Sequence, residues 1–175
     1  MDALDMKFEK FKESALRVCA LPYYGCDEEK QVENFINGLP IPEDANIDWR
    51  NYVKRVSSEG KKIIRIIVVE NPVNDYDKWI LRISELNELA GEEILFISKD
   101  KYLKILGKRD SHDYWIFDRK EVAVMYYDCN NDYTHFETSH DVDYYLNLFN
   151  ELYKEGIPLK DIFKKVRGNT MNIEL

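Results

Sequence analysis

Glycine and proline are scarce in this 175-residue chain, seven and five respectively, so it is neither collagenous nor a low-complexity linker. Long apolar runs are missing too: none approaches the about 18 residues of a bilayer-spanning helix. The start, Met1-Asp-Ala-Leu-Asp-Met-Lys7, lacks the basic-then-apolar build of a secretion leader. Cys19, Cys26 and Cys129 are too few and too irregularly spaced for a disulfide framework, which leaves them as free thiols of a reducing compartment. A soluble, cytoplasmic protein with no membrane association is expected. Positive charge is short as well. Lys and Arg number 25 against 33 Asp and Glu, a net −8. Backbone phosphates are gripped by cations, so direct nucleic-acid binding is not expected. The basic stretches at 99–109 and at Lys160, Lys164, Lys165 and Arg167 are interrupted by acids or apolar residues and read as solvated helix faces. There is no Gly-rich loop to cradle phosphates and no nucleophile elbow around a Ser or Cys, and no cofactor is expected.

What the chain does have is apolar residue, 45% of it, enough to bury a core within a single domain over 1–175. Leu4, Phe8, Phe11, Ala15 and Val18 recur at spacings of three and four, predicting one helix over Asp2–Val18. Asp27 would cap a second helix carrying Val32, Phe35 and Ile36, ended by Gly38. Leu39–Pro42 is a rigid connector, and a third helix runs from about Trp49 to Ser58, stopped by Gly60. Residues 1–60 thus read as a helical N-terminal part. The sheet core is expected in 61–136. Lys62–Val69 is nearly continuous β-branched residue, as in a strand covered on both faces. Asn71–Asp75 breaks it, a helix with Tyr76, Trp79, Ile80, Ile83 and Leu86 ends before Gly91, and Ile94–Ile97 is a second strand. Strand, helix and strand with short links make a βαβ unit with parallel strands. Tyr114–Phe117 and Val122–Tyr127, joined by the polar turn Asp118–Glu121, add an antiparallel hairpin, and a fifth strand falls near Tyr133–Phe136. Helices over Asp141–Lys154 and around Leu159–Val166 fill 141–167, with a frayed end from about Gly168. The fold class is therefore α/β: a small mixed sheet with a βαβ parallel pair plus an antiparallel hairpin, and helices at both termini.

Gly38–Pro42, Trp49, Arg65–Pro72, Asp75-Tyr76, Ala90-Gly-Glu92, Asp113–Asp118, Met125 and Tyr127-Asp128 occur in an order and spacing that resembles an uncharacterised, mostly actinobacterial family often encoded near helix-turn-helix regulators. The likeness covers roughly residues 20 to 130. It implies no activity, but a regulatory setting with a protein partner, a helix-turn-helix regulator being the class suggested. More loosely, strand, helix, strand and hairpin resemble half of a phospholipase D-like domain, whose His-x-Lys and Asp would fall on His112-Asp-Tyr114 and Asp118. Tyr114 stands where the lysine belongs, so the likeness implies a degenerate relative that binds without cleaving.

Two function classes follow. The first is a non-catalytic binding or sensor domain tied to transcriptional regulation, able to take a protein partner or a small ligand. The second is a metal-dependent or phospholipase D-like phosphodiesterase or nuclease using Asp113 and Asp118. The triplet Asp118-Arg-Lys120 matches the acid-x-Lys of such nucleases, although turns commonly place Asp and surfaces Lys. Cys129, His135 and His140 have no spacing of a compact zinc site, and no metal site is expected. Nor does the sequence assign a role to His112. Ligands of open α/β sheets lie beyond the carboxyl ends of parallel strands, which places the candidate binding surface at Glu70, Asn74, Asp75, Tyr76 and Lys99. Asp75 has a second reading as a helix cap, and Glu92, at the other end of its strand, reads as an ion-pair partner of Arg65 or Arg82.

Overall fold

The computed structural model describes residues 3–25 and 28–166. Along them the elements run α1 (Ala3–Lys10), β1 (Ser14–Cys19), α2 (Glu28–Ile36), α3 (Ile47–Ser58), β2 (Lys62–Val69), α4 (Asp75–Ala90), β3 (Glu93–Ser98), α5 (Lys99–Leu106), β4 (Asp113–Phe117), β5 (Glu121–Tyr127), β6 (Tyr133–Ser139), α6 (Val142–Glu155), β7 (Ile157–Pro158) and α7 (Leu159–Val166). The strands form one mixed sheet in the order β6-β5-β4-β1-β2-β3-β7. The pairs β1–β2 and β2–β3 are parallel, and the remaining pairs are antiparallel. The expected βαβ unit is β2-α4-β3, and the expected hairpin is β4–β5, with β6 as a solvated edge strand that continues to Ser139.

The expectation of one helix over Asp2–Val18, and with it the all-helical reading of 1–60, is corrected by the fold. The helix stops at Lys10 and Ser14–Cys19 is a strand inside the sheet, between β2 and β4. The physical reason lies about a hundred residues away. Asp118 accepts the backbone N–H of Lys12 (2.9 Å), Glu13 (2.7 Å) and Ser14 (3.0 Å), donors that a continuing helix would have turned inward. Ala15, Val18 and Cys19 then find a ladder on both sides, and tertiary pairing overrides the local period. Helix α5 and the two-residue β7 are additions to the expected elements. The first shows Tyr102 and Leu106 to the core and Lys99, Lys101 and Lys104 to solvent, matching the reading of that basic stretch as a solvated helix face. The Asp27 cap, Cys26 and the end from Gly168 lie outside the described residues.

Alternation along the strands builds two apolar layers. On one face Leu16, Val18, Ile66, Val68, Tyr114 and Ile116 meet Tyr102 and Leu106 of α5 and Leu148, Phe149 and Leu152 of α6. On the other, Ala15, Ile63, Trp115 and Phe117 meet α1 and α3, while Ile67, Val69, Ile94 and Phe96 meet α4 and α7. Helix α4 starts on a capping box. The Asn74 side chain accepts the N–H of Asp77 (2.8 Å), and Asp77 accepts those of Asn74 and Glu70 (3.0 Å each).

Candidate functional site

A charged residue in the middle of a covered strand must be compensated, because an isolated buried charge costs several kcal/mol. The sheet contains two such residues side by side. Arg17 of β1 and Arg65 of β2 are register partners, and both face α1, α3 and α4. Neighbouring guanidinium groups repel, and each is held by a carboxylate of its own. Arg65 Nε donates to Glu92 Oε1 (2.8 Å), whose second oxygen accepts Trp49 Nε1–H (2.9 Å). Arg65 also lies over the Trp49 ring, 5.4 Å from its centroid. Arg17 sits over Trp115 at 5.1 Å, and its Nη2 donates to Tyr127 Oη (3.2 Å) and, at 3.4 Å, to Asp113 Oδ2. Its Nε points to the Cys19 sulfur at 3.0 Å.

Asp113 is the hub. Besides Arg17 it accepts the Ala20 N–H (2.7 Å) and the hydroxyls of Tyr24 (2.5 Å) and Tyr127 (3.0 Å). Its carboxylate therefore ties the start of β4 to the end of β1, the following connector and the end of β5. Burial works against the charge of Arg17, but the surrounding Cys19, Tyr24, Tyr127 and Asp113 outweigh it and hold the guanidinium pKa well above its usual value. Arg65 shows the same balance, with burial opposed chiefly by Glu92. Burial first, then neighbouring negative groups, raises the phenols of Tyr24 and Tyr127, so both act as hydroxyl donors.

Beyond these groups opens a cavity of about 370 Å³, lined by Arg17, Arg65, Cys19, Tyr24 and Tyr127 together with apolar Leu4, Ile67, Ile80 and Met125. The two acids stand behind the arginines with their side chains fully covered, whereas the arginine side chains remain 16% and 21% exposed. Gly25 closes the rim against the β5–β6 turn. A Cβ there would lie 2.6 Å from the Asn130 carbonyl oxygen, so only glycine allows this approach.

The structure brings Trp49, Arg65, Glu92, Asp113, Met125 and Tyr127, all residues that carry the family resemblance, to this one place. Glu92 pairs with Arg65, one of its two expected partners, while Arg82 pairs with Glu85. Asp113 and Asp118 stand at opposite ends of β4, and Asp118 is spent on the three N–H groups before β1. Tyr114 is buried on the other face, its hydroxyl 3.4 Å from the Tyr145 carbonyl. Among the described residues no three His, Cys, Asp or Glu side chains gather as a metal site, and the His135 ring stacks on Tyr126 at 4.9 Å. No described helix is long and apolar enough to cross a membrane.

None of the residues of the expected surface, Glu70, Asn74, Asp75, Tyr76 and Lys99, lines the pocket. Glu70 pairs with Lys99 (2.7 Å), Asp75 pairs with Lys78 (2.8 Å), and the cap is Asn74 instead of Asp75. The link between the two regions is Tyr76, whose hydroxyl accepts the Tyr24 N–H (3.2 Å). Sequence reasoning missed Arg17, Cys19 and Tyr24 as site residues. The available signal was Arg65 itself, a cation inside Ile-Ile-Arg-Ile-Ile that demanded partners. No curated protein matches the chain. A family model described as a domain of unknown function, DUF6879, matches residues 2–164, and the chain belongs to that family.

Proposed function

We propose that the chain is a non-catalytic binding domain of the cytoplasm that takes a small ligand in the Arg17–Arg65 pocket and presents a neighbouring surface to a protein partner. The observation that carries this reading is the pair of fixed guanidinium groups facing a cavity, each backed by a covered carboxylate. Preoriented donors around a largely apolar hollow are the makings of a ligand site. The cavity lies on the face of the sheet over two parallel strands, β1 and β2, from Arg17 and Arg65 to Cys19 and Ile67. Tyr24 supports a route outward. It touches Asp113 inside and Tyr76 outside, next to Glu70, Asn74, Asp75 and Lys99, the surface proposed for the partner. The regulatory setting, with a helix-turn-helix protein as partner class, rests on the sequence resemblance.

The phosphodiesterase reading has less support, since Asp113 is saturated by four donors and Asp118 by backbone. Purified protein should hydrolyse neither bis(p-nitrophenyl) phosphate nor DNA nor RNA, with Mg²⁺ or Mn²⁺ added. Turnover that disappears in Asp113→Asn or Asp118→Asn would overturn the binding-domain reading. In the same preparation, Asp75→Asn and Tyr76→Ala should lose a protein that the wild type captures from native lysate. If both variants keep every captured protein, the partner surface lies elsewhere.

A further inference from the structure

The pocket's charge and its open donors narrow the ligand. Two cations, Arg17 and Arg65, are matched by two covered acids, Asp113 and Glu92, and no Lys or His is among the residues lining the cavity. The inner groups thus sum to no net charge, with the positive ends toward the cavity and the negative ends behind. One negative charge entering the cavity meets the nearer cations before the farther acids. Each further negative charge on the ligand also meets the repulsion of the covered acids, which disfavours phosphate esters and other dianions relative to a monoanion.

The donors agree with that count. Among the described residues Arg65 spends only its Nε, on Glu92, and packs its plane over Trp49. Held at two points, the guanidinium cannot swing, and its outer edge keeps two N–H groups side by side. That fork fits the two oxygens of a carboxylate. Arg17, by contrast, is committed to Cys19, Tyr127 and Asp113 and contributes charge more than free donors. Most of the remaining wall is aliphatic and aromatic, from Leu4, Ile67, Ile80, Met125 and Tyr133, with Asn131 as its one amide side chain beside Gly25. Such a wall gains free energy by taking apolar surface out of water and offers a sugar little to hydrogen-bond.

We infer that the pocket binds a small monocarboxylate with an apolar body, its carboxylate bidentate on the outer edge of Arg65. This rests on the reading of the cavity as a ligand site and names what fills it. Cys19, Tyr24 and Tyr127 then set the depth to which the body enters, and Leu4 on α1 covers it.

Calorimetric titration and thermal shift with benzoate and octanoate test the assignment, with benzyl alcohol, octanol, inorganic phosphate and pyrophosphate as comparison arms. At least one carboxylate should bind and raise the melting temperature, while its neutral counterpart and the phosphates should not. Arg65→Gln alone strands Glu92 as a buried charge and threatens folding, so the informative variant is Arg65→Gln with Glu92→Gln. It should stay folded and lose roughly 10- to 100-fold in carboxylate affinity, the usual weight of a charge-assisted pair. Leu4→Trp, which fills the mouth from a partly covered position, should weaken whichever carboxylate the wild type binds without lowering stability. Carboxylate binding unchanged in the double variant, or no carboxylate binding by wild type, overturns the inference. Binding of phosphate or pyrophosphate alone overturns it too, but leaves the cavity a ligand site. Phosphodiester turnover overturns the non-catalytic reading and leaves the carboxylate result to stand by itself.

Discussion

Asp118 adopts a left-handed backbone conformation, φ 51°, and the next residue, Arg119, does the same at 58°. Asp and Asn tolerate this region better than other side-chain-bearing residues, because their short polar groups bond locally. Here the bonds reach across the molecule and anchor the chain entering β1. Partial burial works against the charge of the carboxylate, yet the N–H groups of Glu13, Ser14 and Lys12 together pull its pKa below the ordinary 3.8. A carboxylate lowered on folding adds stability at pH values above its unfolded pKa, and that addition disappears as pH falls through the folded pKa. Asp118→Asn keeps the turn but weakens the three bonds, and should cost about 1 kcal/mol at pH 7, in the range of a lost helix cap. The difference between wild type and variant in urea denaturation should hold from pH 7 to about 5 and shrink below 3.8. A difference that persists undiminished at pH 2 would mean the charge of Asp118 does not anchor β1.

At the scale of elements, a close joint lies where α3 passes the end of α4. Gly91 ends α4 with φ 113°, and a Cβ there would come within 2.5 Å of Ser57 Oγ on α3. Gly91→Ala should cost about 1–3 kcal/mol, from the strained conformation plus the contact. Removing the contact with Ser57→Gly should restore only part of this, because the backbone strain stays. A Gly91→Ala variant as stable as wild type in urea would show that α3 and α4 do not approach so closely. The motif Ala90-Gly-Glu92 therefore sets both a joint and, one residue on, the acid behind Arg65. Elements such as β2 and α4 were legible in the sequence because local signals suffice for them: an unbroken β-branched run, or helical spacing closed by glycine. The segment Leu4–Val18 misleads because Leu4, Phe8, Phe11, Ala15 and Val18 satisfy the helical period by arithmetic. What breaks the helix, Asp118, is distant in sequence, and no window along the chain contains both. The site was half legible for the same reason. Glu92 was readable as an ion-pair partner of either Arg65 or Arg82, whereas Arg17 became visible only once β1 was a strand, and Tyr24 lay in a connector.

For the whole molecule, the two apolar layers meet on the inner strands, and β2 belongs to both. Ile66 is 0% exposed and sits between β1 and β3. Ile66→Asp places an unpaired charge in the layer under α5 and α6 and should cost several kcal/mol, a large part of the usual 5–15 kcal/mol of a folded domain. Cooperative unfolding near the wild-type urea midpoint would remove β2 from the core. The position of β1 in the sheet has a separate consequence, for the order of events during synthesis. Ala15 pairs with Ile63 on one side and with Phe117 on the other, so β1 is made before both of its neighbours, one some fifty residues later and the other about a hundred later. Until β4 is made, β1 offers an open, apolar edge of the kind that attracts foreign strands. Its early partner β2 already sets Arg65 beside Arg17, while Asp113, the acid that compensates Arg17, is made with β4. Until β4 is made, the nascent chain therefore carries Arg17, at the future centre of its sheet, without the countercharge that Asp113 later supplies.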